Sequence, residues 1–211
     1  LMSGKSKQWI TVAVVVAVVA VVAGVRLYLN NQAVNGVTGR TKGNPQAKVK
    51  IVEFIDFQCP ACAQGAKMLN ARFKQYPEQL HLEMKYFPLK MHAHAFLSSR
   101  FAECAARQQK FWEYHDQLIY KQQDWSQIVN AYPMFQQMAQ EVGVDMDQLH
   151  GCLNDTRVDK VISEHQTEGR KRGVRSTPTY YVNGDMVVGT RDLEKRIKEL
   201  LEEPADQGDQ N

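Results

Sequence analysis

Val52-Glu53-Phe54-Ile55-Asp56-Phe57-Gln58-Cys59-Pro60-Ala61-Cys62 begins as an apolar, β-branched run and ends on two cysteines separated by Pro-Ala. The first half reads as a buried strand, and helix-compatible residues follow Cys62, which places Cys59 at the first turn of a helix. Unpaired backbone N–H groups and the positive end of the helix dipole favour a thiolate there, and the thiolate is the nucleophilic form. Pro60 fits the same register, because the first helical position needs no N–H donor. A zinc half-site or a static disulfide would also use this pair. Zinc needs two more ligands, for which His92 and His94 are the nearest candidates, and no second Cys-x-x-Cys exists. The stretch therefore points to a redox-active dithiol, with no metal and no cofactor expected.

Upstream, Lys5 and Lys7 precede an uncharged Val/Ala run from Gln8 to Val25, with Trp9 and Tyr28 near its ends. Residues 1–29 read as a single membrane anchor in preference to a signal peptide cleaved after Ala23, and in either case the domain beyond them lies outside the cytoplasm. Residues 30–46 are polar and Gly-containing, without an apolar period, and read as a flexible linker. The chain has 211 residues, 44% hydrophobic, with a formal charge of +3. All five charges in residues 1–46 are basic, so the remainder is near −2 and carries no basic field for nucleic acid. Four cysteines suit an oxidising compartment.

Downstream, Gly65–Tyr76 continues the helix, and Leu80–Phe87 alternates as a second strand. Helical spacing then runs from about residue 92 to 172, with Asp145 as an N-cap ahead of Leu149 and Cys152. Thr179–Val188 reads as a hairpin turning on Asn183-Gly184, and Arg191–Glu203 as a closing amphipathic helix. Residues 205–211 form a polar tail. This order resembles the DsbA-like branch of the thioredoxin superfamily, thiol:disulfide oxidoreductases with a helical domain inserted in a thioredoxin-like α/β fold. Three blocks carry the resemblance: Val52-Glu53-Phe54-x-Asp56-Phe57-x-Cys59-Pro60-x-Cys62, Phe111-Trp112-Glu113-Tyr114-His115-Asp116 and Gly173-Val174-Arg175-Ser176-Thr177-Pro178-Thr179. It implies a domain over residues 47–204 with its insertion at about 92–172.

The resemblance further implies that Cys59 is attacked by a substrate thiolate and that Cys62 is the buried leaving thiol. It implies that Glu53 handles protons for Cys62, and that a cis Pro178 faces Cys59 while Pro60 and the Thr177 backbone meet the substrate. Read from residues alone, the alternatives are a partly solvated strand-end acid for Glu53 and an ordinary trans proline opening a strand for Pro178. Cys104 and Cys152 sit on separate helices; two buried free thiols are the plain reading, and export favours a structural disulfide. Phe111, Trp112, Tyr114 and His115 read as packing residues, His92 and His94 as solvated loop histidines, and Arg170, Lys171, Arg172 and Arg175 as a solvated helix end. Partners implied are exported proteins with free thiols or disulfides and a membrane redox protein that recycles the dithiol; a monomer is expected. One departure stands out: the strongest oxidants of the family carry histidine where this chain has Ala61. A potential between about −120 mV for DsbA and about −270 mV for thioredoxin is expected, and disulfide reduction or isomerisation, or metal handling, are the alternative activities.

Overall fold

A computed structural model of the protein describes residues 14–25 and 39–202. Residues 14–25 are helical, and among the described residues no helix is long and apolar enough to cross a membrane. The anchor expected over residues 1–29 lies largely outside the described residues, as does the tail at 205–211.

From residue 39 onward the chain forms a separate compact unit. Its strands are β1 (Thr41–Gly43), β2 (Val49–Ile55), β3 (Leu80–Tyr86), β4 (Thr179–Val182) and β5 (Asp185–Val188). Its helices are α1 (Pro60–Gln75), α2 (Ala95–Ala106), α3 (Phe111–Tyr120), α4 (Gln122–Trp125), α5 (Tyr132–Glu141), α6 (Met146–Leu153), α7 (Thr156–Lys171) and α8 (Thr190–Glu202). The sheet order is β1-β3-β2-β4-β5, with β2 and β3 parallel and the other pairs antiparallel. Parallel neighbours need a crossover, which α1 supplies. The β4–β5 turn places Asn183 at φ 51° and Gly184 at φ 99°, the left-handed pair that matches strand twist in a two-residue hairpin.

Period-two alternation decides what each face of the sheet meets. Val49, Ile51, Tyr180 and Val182 pack with Leu69 and Phe73 of α1 and Leu193 and Ile197 of α8. Phe54, Phe87 and Tyr181 face the other way. There α7 comes close enough that a Cβ on Gly169 would fall 2.8 Å from the Phe87 ring. The inserted helices bury Phe101, Tyr114, Leu118, Phe135, Leu149 and Ile162 in a core continuous with Ile55, Phe57 and Cys62. The dithiol thus stands where the insert meets the sheet.

Three expectations change. Residues 39–46 are not linker: Thr41–Gly43 pairs with residues 81–83 as an edge strand, and the Trp112 indole donates to the Thr41 carbonyl at 2.9 Å. An edge strand held by backbone bonds needs no apolar period, so its sequence resembles a tether. His92 and His94 are not free loop histidines: the half-buried His92 places Nδ1 2.7 Å from Asp56 Oδ2, and His94 is buried, its Nε2 2.6 Å from the Ile128 carbonyl. Of the basic helix end, Arg170, Lys171 and Arg175 are exposed as expected, and Arg172 alone departs, stacking 3.6 Å above the Tyr181 ring.

Candidate functional site

Cys59 is the N-cap of α1 and Pro60 its first residue, so free N–H groups converge on the sulfur. The Cys62 thiol donates to Cys59 first of all, backbone N–H groups of Cys62 and Ala61 add to it, and against the cost of burial they hold Cys59 down at about 5. Cys62 is fully buried, and desolvation pushes its thiol well above the ordinary value, with the nearby Cys59 and Glu53 adding to the shift. One sulfur therefore ionises readily while its partner resists ionisation. Cys59 retains 8% of its surface and sits beside the exposed Pro60 and Ala61, which leaves it at the rim of the site.

Facing this pair is the Thr177–Pro178 peptide, which is cis. Cys59 Sγ lies 3.4 Å from the Thr177 carbonyl oxygen, across 118 residues of chain. The Thr177 hydroxyl is buried without a hydrogen-bond partner. Cys59, Cys62, Pro60, Thr177 and Pro178 thus share one end of the sheet.

Glu53 lies on the face of β2 that carries Val49 and Ile51, beneath α1, and is fully buried. Both of its carboxylate oxygens lack a hydrogen-bond partner, and desolvation pushes the group up to about 8, opposed by the Tyr180 hydroxyl. It is therefore a neutral acid at neutral pH, electrostatically coupled to Cys62. Asp56, one position beyond Ile55, has a purely constructional set of partners. Its carboxylate accepts from the N–H of Gln58 and of Leu89, both at 2.8 Å, and pairs with His92.

Cys104 and Cys152 are joined as a disulfide between α2 and α6, apart from the dithiol. Among the described residues no group of three or more His, Cys, Asp or Glu side chains is arranged to hold a metal ion.

Two contributors escaped the sequence reading. Gln122 of α4 donates to the carbonyls of Phe57 at 2.6 Å and Cys59 at 3.0 Å, and Gln58 donates to the Ser126 carbonyl at 2.7 Å. These bonds latch the insert onto the loop entering α1. Tyr180, the register partner of Glu53 on β4, is the other. Its place two residues after Pro178, opposite a strand that carries a buried acid, was the only signal that could have found it.

A family model described as thioredoxin matches residues 35–203. Among curated relatives, the Na(+)/H(+) antiporter NhaA 1 of Mycolicibacterium gilvum is 30% identical over 164 residues, which are 75% of this chain and 25% of the antiporter. The chain spans about a quarter of the length of the curated relatives it matches. Among solved structures, a periplasmic thioredoxin-like protein from Salmonella enterica serovar Typhimurium is 25% identical, with a TM-score of 0.65 over 82% of this chain and 96% of that one. The thiol-disulfide exchange protein alpha-DsbA2 of Wolbachia pipientis is 16% identical, with a TM-score of 0.66 over 86% and 95% of the two chains.

Proposed function

The chain belongs to the thioredoxin family, and from that premise we propose that it is a DsbA-like thiol:disulfide oxidoreductase that introduces disulfides into exported proteins through Cys59 and Cys62. The observation that carries this reading is the asymmetry of the two sulfurs, one held down at about 5 at the rim and the other pushed up beneath it. In the oxidised enzyme a substrate thiolate attacks Cys59, the Cys59–Cys62 bond breaks, and its electron pair leaves on Cys62. Glu53, neutral at neutral pH, gives Cys62 a proton. A second substrate thiol then attacks its own sulfur in the mixed disulfide, which releases oxidised substrate and a Cys59 thiolate. The substrate strand lies against Pro60, the backbone of Thr177 and Pro178.

A reduced enzyme must be re-oxidised, which calls for a membrane redox partner, and residues 1–29 would tether the domain at the outer face of the membrane with residues 30–38 as the remaining linker. The composition of the N-terminal run and the periplasmic setting of the Salmonella relative support this location. Ala61 supports the runner-up, a reductase, since it places no cation beside the thiolate.

The test is Cys62→Ala in the full chain, which leaves a substrate bound to Cys59, with identification of the trapped proteins. Exported proteins with several cysteines are expected. Trapping of a dedicated electron donor alone, with a glutathione equilibrium at the thioredoxin value of about −270 mV, would establish the reductase instead.

A further inference from the structure

Proton handling at Cys62 and Glu53 raises a problem of access. Both side chains are fully buried, yet each catalytic turnover moves a proton to Cys62 from outside. On the β3 side the register partner of Glu53 is Met84, which carries no proton. On the β4 side it is Tyr180, also fully buried, whose hydroxyl meets no partner at hydrogen-bond geometry. Buried oxygens without partners are rare, and three of them occur together here: Glu53 Oε1, Glu53 Oε2 and Tyr180 Oη.

Gly65 explains how that hydroxyl reaches α1. A Cβ at this position would stand 2.1 Å from Tyr180 Oη and 3.2 Å from Thr190 Oγ1, so both hydroxyls border the space that glycine leaves open. Thr190 opens α8, is partly exposed, and donates to the Ala61 carbonyl at 3.4 Å. The polar groups coupled to Tyr180 are Glu53, Cys62 and Thr190.

We propose that Tyr180 and Thr190 form the proton path between solvent and the buried Glu53–Cys62 pair, with Gly65 as the opening that both hydroxyls border and across which they exchange the proton. The inference rests on the disulfide exchange proposed above. When Cys62 leaves as a thiolate it takes the proton of Glu53. In one concerted shift the Tyr180 hydroxyl gives its proton to the Glu53 carboxylate as it accepts one from Thr190, and Thr190 accepts one from solvent in the same shift, so that neither phenolate nor alkoxide is left behind. One proton passes from solvent to Cys62 and the relay returns to its starting state. In the reverse direction the same hydroxyls carry the proton out. Tyr180 and Thr190 act through Glu53 and are positioning residues; a relay changes rates and leaves the equilibrium alone.

The experiment tracks reduction of the oxidised full chain by dithiothreitol from about pH 6 to about pH 9.5, in water and in heavy water. Tyr180→Phe is expected to slow the reaction about tenfold at neutral pH and to enlarge the solvent isotope effect. It also moves the Glu53 step in the pH profile upward, since a hydroxyl that favours the carboxylate is gone. Thr190→Val shifts rate and isotope effect the same way, more weakly, and neither variant changes the equilibrium constant with dithiothreitol. Gly65→Ala, which pushes the hydroxyl aside, slows the reaction as Tyr180→Phe does, and the double variant is no slower than either single one. Glu53→Gln removes the pH step. Should Glu53→Gln remove it while Tyr180→Phe and Thr190→Val keep wild-type rates and profiles, the relay is overturned and the Glu53 assignment stands. Should Glu53→Gln leave the step in place, the relay falls together with that assignment.

Discussion

The charge on Cys59 is decided first by the Cys62 thiol and by N–H groups crowded at the start of α1, with the Thr177 side chain adding to them, and none of these groups is cationic. Its alkylation by iodoacetamide should trace a titration centred near pH 5, against about 8.5 for a free cysteine, while Cys62 stays unmodified until the protein unfolds. A midpoint above about 8 would remove the nucleophile from the scheme. Glu53 works in the opposite sense. Its folded value of about 8 exceeds the unfolded one, so between roughly 4.5 and 8 the native state holds a proton that the unfolded chain has lost. Stability contributed by this site therefore falls as pH rises through that window. Glu53→Gln should abolish the decline and raise stability by about 3 kcal/mol at pH 7, read as the difference between urea midpoints at pH 4.5 and pH 7. An unchanged pH dependence would mean that the carboxyl is not buried as found.

Among the elements, α1 was legible in the chain because its signals are local: an N-terminal cysteine, Pro60 at the first position and an apolar face through Leu69 and Phe73. The same holds for α6, whose N-cap Asp145 accepts from the Gln148 N–H at 2.9 Å. Thr41–Gly43 was not legible, since its partner strand lies about forty residues away and its side chains carry no pattern. The disulfide between α2 and α6 closes a separation of 48 residues, which corresponds to about 4 kcal/mol in the chain-entropy account. Cys104→Ala combined with Cys152→Ala should lower the free energy of unfolding by about that amount and leave the Cys59 alkylation midpoint where it is. A shift in that midpoint would show that the bridge reaches the dithiol.

The whole unit is held together by contacts between distant segments, and one buried network shows this best. Arg40, ahead of β1, pairs with Glu103 of α2, which also accepts from the Tyr86 hydroxyl at 3.2 Å; Arg107 links on to Asp155, the N-cap of α7, at 2.8 Å. Removing one member strands a buried charge, so Arg40→Ala should cost about 3 kcal/mol, measured by denaturant unfolding. A cost below about 0.5 kcal/mol would return residues 39–43 to the status of a tether. The succession from Val49–Ile55 through the dithiol helix, the second strand, a helical insert, the hairpin at Asn183-Gly184 and the closing helix was determined by the sequence alone, because propensity, capping and alternation act over a few neighbouring residues. The tertiary structure alone decided that Tyr180 stands beside Glu53, that Gln122 clamps the carbonyls of Phe57 and Cys59, and that Arg40 is buried. Each of these joins segments far apart in the chain, and which distant surfaces meet is settled by the packing of the whole core, which no local pattern records.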